Sequence, residues 1–365
     1  MIKRMGVLSV LLFAAARSPA FAQSSVTLSG LIDAGVSYIS NQAGHGNVKF
    51  DDGIALPNLL QFTGREDIGG GNAVIFRLED HYVLGSGSFL PNQSLFSWQS
   101  YVGFDSREFG KLTFGNQQDF MKDALFFGGN DGGAMYTAGL YDFRAGPFTK
   151  LALPNSPTGG FDWDRLGGDQ TVNNSVKYRS PDYHGLSAGM LYGFGGVPGS
   201  IGANNATSFA LNYSNGGFGA AAAYTNVKSS VAGAQASVRN WGLGSHYRLG
   251  PFLTTALFTT VHNGANGGAV WAAQLGEFYQ ITPFWSVSAA YVYMKGNAEV
   301  NDNHAHQMSA AVSYAFSKRT VVYLSGVYQR TNEGAKALIN GLTGPTAASS
   351  GPDQAIARIG LVTRF

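Results

Sequence analysis

The sequence contains no cysteine and few charged residues. Asp, Glu, Lys and Arg together make up 13% of the 365 residues, about half the share found in ordinary soluble domains. Without thiols, neither disulfides nor a cysteine-ligated metal holds the fold together. Lys and Arg (24) nearly balance Asp and Glu (22), and no basic block is present. This charge balance argues against a nucleic-acid-binding protein.

Long hydrophobic runs are also missing, apart from a short one near the N-terminus. Residues 7–16 are apolar, follow Lys3 and Arg4, and are followed by Ala-Phe-Ala at 20–22. A charged start, a short apolar run and a small-x-small site predict a cleaved secretory signal peptide over residues 1–22, rather than a membrane anchor. No later run reaches about 18 apolar residues, so no transmembrane helix is predicted.

Glycine (50 residues), aromatic residues (13%) and a two-residue alternation are abundant. In the first segment Val26, Leu28 and Tyr38 share one face, and Asp33 lies on the other. Such alternation is typical of strands with one apolar face. Tight turns alternate along the chain with longer connections, expected near 39–56, 84–94, 119–170, 194–205, 229–235, 262–268, 296–303 and 332–353.

The segments between these connections amount to about sixteen strands, long enough for tilted membrane crossings of about 9–11 residues. In hydrocarbon an open sheet edge leaves unpaired backbone groups, so the last strand must pair with the first. Residues 355–365, AIARIGLVTRF, alternate in this way and end on Phe365. We therefore predict an all-β antiparallel transmembrane β-barrel.

Four stretches carry a family resemblance. They are SSVTLSGLIDAG at 24–35, GREDIGGG at 64–71, NNSVKY at 173–178 followed by Ser180-Pro181, and the terminal Phe365. In this order and spacing the chain resembles the general porins of Gram-negative bacteria, in particular those of β-proteobacteria. The resemblance runs from the mature start to the last residue.

The resemblance implies a homotrimer of 16-stranded outer-membrane barrels, formed here by residues 23–365. It also implies a third extracellular loop, 119–170, that folds inward and narrows the pore, and Phe365 as the signal read by the outer-membrane assembly machinery. The expected function is general diffusion of ions and small hydrophilic solutes. The expected surroundings are outer-membrane lipid and lipopolysaccharide. We expect no cofactor, no metal, no catalytic residue and no nucleic-acid partner.

Alternation and the long third connection identify candidate pore-lining charges, which would set a field across the constriction. On the wall they are Asp33, Arg77, Glu79, Lys177 and Arg179, and on the third loop they are Asp119, Asp123, Asp131, Asp142 and Arg144. The alternative for each is a solvated position at a rim.

The chain departs from the family at positions where the family usually carries wall arginines. These positions hold Leu59, Trp98, Asn116 and Thr171. Arg65, Arg77 and Arg179 stand where the family more often has uncharged residues, which is a partial replacement. Because the loop acids are no longer outnumbered, we expect weak charge selectivity with a slight preference for cations.

Two patterns suggest enzymes or metal sites. GLSAG at 185–189 matches the G-x-S-x-G motif of serine hydrolases, but it runs into a predicted strand and not into the helix that the motif requires. His304 and His306 share a strand face, yet no further ligand is evident, so interfacial or trimer-contact histidines are the better interpretation.

Three rival functions remain open. An outer-membrane phospholipase would place a Ser and a His together on the lipid face of a barrel. A substrate-specific channel would use Trp98, Tyr101, Phe126 and Phe127 to stack sugars or aromatic solutes. Against this, Trp98 falls at the same alternate positions as the outward-facing residues of its strand. It is therefore also consistent with a position in the aromatic belt at the membrane interface. A plugged structural or adhesive barrel is the third rival.

Overall fold

The computed structural model describes residues 24–90, 94–154, 156–168, 170–231 and 234–365. The predicted signal peptide over residues 1–22 lies outside the described residues. The strand segments are β1 (Ser25–Gln42), β2 (His45–Asp52), β3 (Leu59–Gly69), β4 (Asn72–Tyr82), β5 (Phe89–Leu90), β6 (Gln99–Ser106), β7 (Gly110–Gln118), β8 (Thr171–Arg179), β9 (Leu186–Gly193), β10 (Ala206–Asn215), β11 (Phe218–Val231), β12 (Ala234–Leu249), β13 (Phe252–Asn263), β14 (Ala269–Gln280), β15 (Trp285–Gly296), β16 (His304–Ala315), β17 (Thr320–Thr331) and β18 (Asp353–Arg364).

These eighteen segments form the sixteen strands of one closed antiparallel barrel. β2 and β3 both pair with β1 and are two halves of one strand, interrupted at 53–58. β5 and β6 both pair with β4 and likewise share one strand position. β18 pairs with β1, with Gly360 opposite Gly35, which closes the sheet. The predicted 16-stranded antiparallel barrel is confirmed.

The two faces of the wall differ as the alternation predicts. On β1, the side chains of Val26, Leu28 and Tyr38 are 69%, 56% and 51% exposed, whereas Asp33 is fully buried. We call the face with exposed apolar side chains the outer face. The face on the other side of the sheet is called the opposite face. At the seam, Gly30 and Phe365 exchange two backbone hydrogen bonds of 3.1 Å. The Phe365 ring covers Gly30, where any Cβ would collide with it.

Short turns lie at one end of the barrel and most longer connections at the other. The longer ones include 83–98, 119–170, 194–205 and 332–352. The long connection expected at 39–56 is wrong, because β1 and β2 continue through it and join in a tight turn at 43–44, where Ala43 and Gly44 both adopt positive φ.

Helical structure is confined to short segments. They are a π-helix (Met121–Phe126), α1 (Gly132–Tyr136) and 3-10 helices at Gly139–Asp142, Thr149–Leu151 and Ala298–Val300. None of the helices in the described ranges has the length and apolarity required for crossing a bilayer.

The third connection, 119–170, packs against the opposite face of the wall. Phe120 and Leu125 join a buried cluster with Leu257 of β13. Phe148 and Trp163 join a second cluster with wall residues Val261, Val270, Val292 and Met294. On these strands, therefore, the opposite face is apolar where the connection covers it.

Candidate functional site

Two adjoining cavities lie between the third connection and the wall. The wider has a volume of about 380 Å³, and the narrower about 180 Å³. Arg77 and Phe127 line both. The narrower cavity lies nearer the short-turn end of the barrel. Two of its residues, Lys111 of β7 and Arg179 of β8, are register partners next to the turns at 107–109 and 180–185.

The segment that interrupts the second strand forms one side of the wider cavity. The backbone N–H groups of Ile54 and Ala55 donate to Asp33 Oδ2 at 2.6 and 2.7 Å. The N–H of Asp33 donates to Asn58 Oδ1 at 2.8 Å, so the segment is fixed at both ends. As a result Ile54 and Leu56 line the cavity.

Aromatic rings form much of the remaining lining. Trp98 is 4% exposed and meets the ring of His81 edge-on, with centroids 4.5 Å apart. The Phe126 ring lies 5.4 Å from that of Phe127 and 5.5 Å from that of Phe143. The belt position considered for Trp98 is wrong, because Trp98 precedes β6, escapes its alternation and lines the cavity.

A buried lysine lies beside these rings. Lys122 Nζ stands 4.0 Å from the Phe126 ring centroid and donates to the carbonyl oxygen of Gly167 at 2.8 Å. A cation over a ring face is attracted by the negative face of the π-system. The wider cavity therefore combines an apolar, aromatic lining with a cationic group.

The narrower cavity is cationic. Arg77, Lys111, Lys177 and Arg179 line it together with the single carboxylate Asp123. Lys177 Nζ pairs with Asp123 Oδ2 at 2.5 Å and also donates to the carbonyl oxygen of Gln118 at 2.7 Å. Because Asp123 pairs with Lys177 and Arg77 lies beside Glu79, Lys111 and Arg179 supply the net positive charge of this cavity.

Arg77 stands at the junction of the two cavities. Its Nε lies 3.5 Å from Glu79 Oε2, and its Nη2 donates to Gln61 Oε1 at 3.2 Å. Glu79 in turn accepts from Gln99 Nε2 at 3.2 Å. These contacts hold the guanidinium at the opening, where 32% of its side chain stays exposed.

The third connection contains a buried ion cluster. Arg144, 1% exposed, places Nε 3.3 Å from Asp164 Oδ2 and Nη1 3.6 Å from Asp131 Oδ2. Asp142 Oδ2 accepts from the hydroxyls of Thr137 at 2.7 Å and Ser309 at 2.8 Å. Burial raises the pKa of the Asp142 and Asp164 carboxyls, because an ionised carboxylate at either position would lack hydration by water.

A second buried network joins the first and last strands. Arg358 of β18 pairs with Asp33 at 3.5 Å and with Asp51, and its Nε donates to the Tyr323 hydroxyl at 2.7 Å. The Tyr323 hydroxyl itself donates to Asp33 Oδ1 at 2.7 Å.

The structure divides the ten sequence-predicted charges into two groups. Those lining the cavities are Arg77, Glu79, Asp123, Lys177 and Arg179. Those buried in hydrogen-bonded networks are Asp33, Asp119, Asp131, Asp142 and Arg144. In the second group, Asp119 Oδ2 pairs with Arg165 Nε at 2.5 Å.

Several residues of these networks were not identified from the sequence. They are Asp51, Lys111, Lys122, Asp164, Arg165, Tyr323 and Arg358. Lys111 and Arg358 alternate with apolar neighbours on their strands, and this signal would have found them. Lys122 and Arg165 lie on an irregular connection, where no periodicity exists.

The enzyme-like patterns do not assemble a site. Ser187 lies within β9, which begins at Leu186, so the strand–turn–helix of a hydrolase elbow is not formed. His306 Nδ1 contacts the Tyr291 hydroxyl at 2.6 Å on the outer face. Within the described part of the chain, no group of three or more His, Cys, Asp or Glu residues is placed to hold a metal ion.

Comparison with known proteins agrees with this architecture. Residues 8–334 match the family model of the Gram-negative porins. An outer membrane porin protein of Bordetella pertussis is 25% identical over 380 residues, covering 89% of this chain and 94% of the relative.

Two solved structures share the fold. The anion-selective porin from Comamonas acidovorans superposes with a TM-score of 0.78 at 22% identity, covering 94% of this chain and all of that one. The trimer form of OmpT, an outer membrane protein of Vibrio cholerae, gives 0.63 at 14% identity, covering 94% and 99%. The chain therefore belongs to the Gram-negative porin family, and it is an outer-membrane channel for passive diffusion rather than an enzyme.

Proposed function

We propose that residues 23–365, after removal of a signal peptide at 1–22, form a homotrimeric general diffusion channel with a preference for small anions. In this proposal residues 119–170 fold into the lumen and leave the two cavities as the constriction. Asp123, Arg77, Glu79, Lys177 and Arg179 line that passage. Asp33, Asp119, Asp131, Asp142 and Arg144 hold its walls in place.

The contacts of the third connection with the opposite face of the wall support the constriction. The Ser288 hydroxyl donates to the carbonyl oxygen of Tyr136 at 2.6 Å, and Gln274 Nε2 donates to Asp131 Oδ1 at 2.9 Å. Both donors belong to wall strands whose outer faces are apolar. Contacts with the face opposite the lipid-facing one support a third connection that folds into the barrel interior.

The placement of charge carries the anion preference. The narrower cavity holds four cationic side chains and one carboxylate, which is paired. Of the loop acids expected to favour cations, Asp119 pairs with Arg165 and Asp123 pairs with Lys177. Asp131 and Asp142 are buried near Arg144. We therefore propose an anion preference in place of the slight cation preference expected from the sequence. The Comamonas acidovorans structure that shares the fold is itself anion-selective.

The trimer and the membrane partners extend the proposal. A structural relative with the same fold is solved as a trimer. The outer face is apolar and suits outer-membrane lipid, with lipopolysaccharide proposed in the outer leaflet. The terminal Phe365, whose ring is 51% exposed, is proposed as the signal for the assembly machinery.

Planar-bilayer recording tests the function. Purified folded protein should give large ohmic openings in groups of three, and in a KCl gradient the reversal potential should lie on the anion side. A reversal potential on the cation side would reject the charge assignment. Folded protein without conductance would reject the diffusion channel itself.

A further inference from the structure

The wider cavity has an unusual lining for a water-filled passage. Phe127 exposes 57% of its surface on a connection that packs against the opposite face of the wall, and its ring faces both cavities. A phenyl ring left in water forgoes the favourable free energy of burying its apolar surface. A solute carrying its own ring recovers part of this free energy while it passes.

The size of the cavity fits such a solute. An apolar cavity of about 150 Å³ is sufficient to hold benzene, and the wider cavity measures about 380 Å³. Trp98, Phe126, Phe127 and Phe143 supply ring faces and edges around it. Rings at centroid distances of 4.5–7 Å in edge-to-face geometry attract each other beyond their buried area.

The cations specify the other end of the solute. Arg77 lines both cavities and presents a planar fork that matches a carboxylate. The Lys122 ammonium also lines the wider cavity, next to the Phe126 ring. An anion that leaves the wider cavity then meets Lys111 and Arg179 in the narrower one.

Together these features select one chemical class. We propose that the two cavities form a binding site for small aromatic carboxylates, with the ring in the wider cavity and the carboxylate at Arg77. This inference rests on the proposed diffusion channel and names a solute class that it passes preferentially. An aromatic cation fits less well, because the cationic side chains of the narrower cavity repel it.

Solute block of the channel current tests the site. After ohmic conductance in KCl is established, benzoate, acetate and benzamide are added in turn at equal concentration. Benzoate should reduce the current in a saturable manner. Acetate lacks the ring and benzamide lacks the charge, so both should reduce it far less at the same concentration.

Two variants separate the ring from the charge. Phe127→Leu keeps apolar volume but removes the aromatic face, and it should weaken the benzoate block roughly threefold to tenfold. Arg77→Gln should weaken the benzoate block at least as much and leave the benzamide response unchanged. Phe209→Leu, an exposed aromatic residue of β10 on the outer face, is the matched control and should leave the block unaltered.

The outcomes distinguish this inference from the proposed function. Folded protein without any KCl conductance contradicts the channel itself. Normal conductance with equal responses to benzoate and acetate overturns the aromatic-carboxylate site alone. An unchanged benzoate block in Phe127→Leu, in protein whose gel mobility shows a folded barrel, also overturns the site.

Discussion

The two sides of the barrel use polar wall residues for different purposes. On strands β12 to β16 they bind the third connection: Asn240 Nδ2 donates to the carbonyl oxygen of Trp163 at 2.8 Å, and the Thr259 hydroxyl donates to Asp164 at 2.8 Å. On strands β4 to β8, Arg77, Lys111 and Arg179 face the cavities instead. We call these the sealed side and the open side. The polar face of an alternating strand can thus either bind the third connection or line a cavity.

The largest expected effect concerns the ion cluster of the sealed side. Arg144→Met removes the cation that contacts Asp131 and Asp164 and lies near Asp142 in this buried group. Breaking a buried ion pair costs about 3–5 kcal/mol. We expect a large loss of stability in urea unfolding of the detergent-solubilised barrel and, where it folds, a higher and noisier conductance from a loosened third connection.

Arg179→Met is the matched control on the open side. Its side chain is exposed and lines a cavity, so its removal should leave the urea midpoint nearly unchanged. Equal destabilisation by the two variants would contradict the distinction between the sealed and open sides.

Next in size is the charge of the open side. Lys111→Gln combined with Arg179→Gln removes two of the four cations of the narrower cavity. We expect the KCl reversal potential to move toward zero, while the conductance persists because the wall and the connection remain in place. Lys150→Gln, on an exposed 3-10 turn that contacts Asn301, is a control that should not change selectivity.

The pH dependence of the sealed side follows from Asp142. Burial, aided by the charge of Asp131, raises the pKa of this carboxyl above its ordinary 3.8. The folded chain therefore keeps a proton that the unfolded chain releases, and the free energy of unfolding falls as pH rises from about 4 through the raised pKa. Asp142→Asn should reduce this fall in urea midpoints measured between pH 4 and 8, and the part due to Asp164 should remain.

The asparagine variant should also be at least as stable as the native chain at pH 8, since it has no charge to bury. A variant that is much less stable at pH 8, with an unchanged slope at lower pH, would show that Asp142 is held as an ionised partner of Arg144.

The smallest expected effect tests one neutral contact. The Ser288 hydroxyl donates to the carbonyl oxygen of Tyr136 at 2.6 Å. Ser288→Ala should cost about 0.5–1.5 kcal/mol in the same urea assay. Ser286→Ala, on the same strand face but two residues closer to the short-turn end, is the control and should cost less. No difference between the two would indicate that this contact contributes nothing.

The barrel could be predicted well from the sequence, because every strand in a lipid bilayer must present apolar side chains outward and pair its backbone groups within the sheet. Val26, Leu28 and Met308 expose apolar side chains at the expected parity, and the pairing of β1 with β18 follows from closure. The interrupted second strand was missed, because the segment at 53–58 is fixed by hydrogen bonds to Asp33 on the neighbouring strand, which alternation does not reveal.

The site was harder to predict than the wall. Alternation showed that Arg77 and Lys177 share the polar face, but it cannot distinguish a residue that faces water from one covered by a connection. The positions of Lys122 and Arg144 depend on the path of an irregular segment, which long-range contacts determine. The alternation pattern gave the wrong face for Trp98 for a local reason, since the backbone leaves strand geometry at Phe96, where φ is +58°.

The network around Arg358 has a consequence for the order of assembly. Arg358 and Asp33 are 325 positions apart in the chain, yet both are fully buried where the last strand meets the first. Before these strands meet, neither charge has this ion-pair partner, and burying an unpaired charge costs several kcal/mol. Closure is therefore an all-or-none step: a chain that has placed every strand but the last remains in an unfavourable state, and a completed barrel is held shut by the same charges.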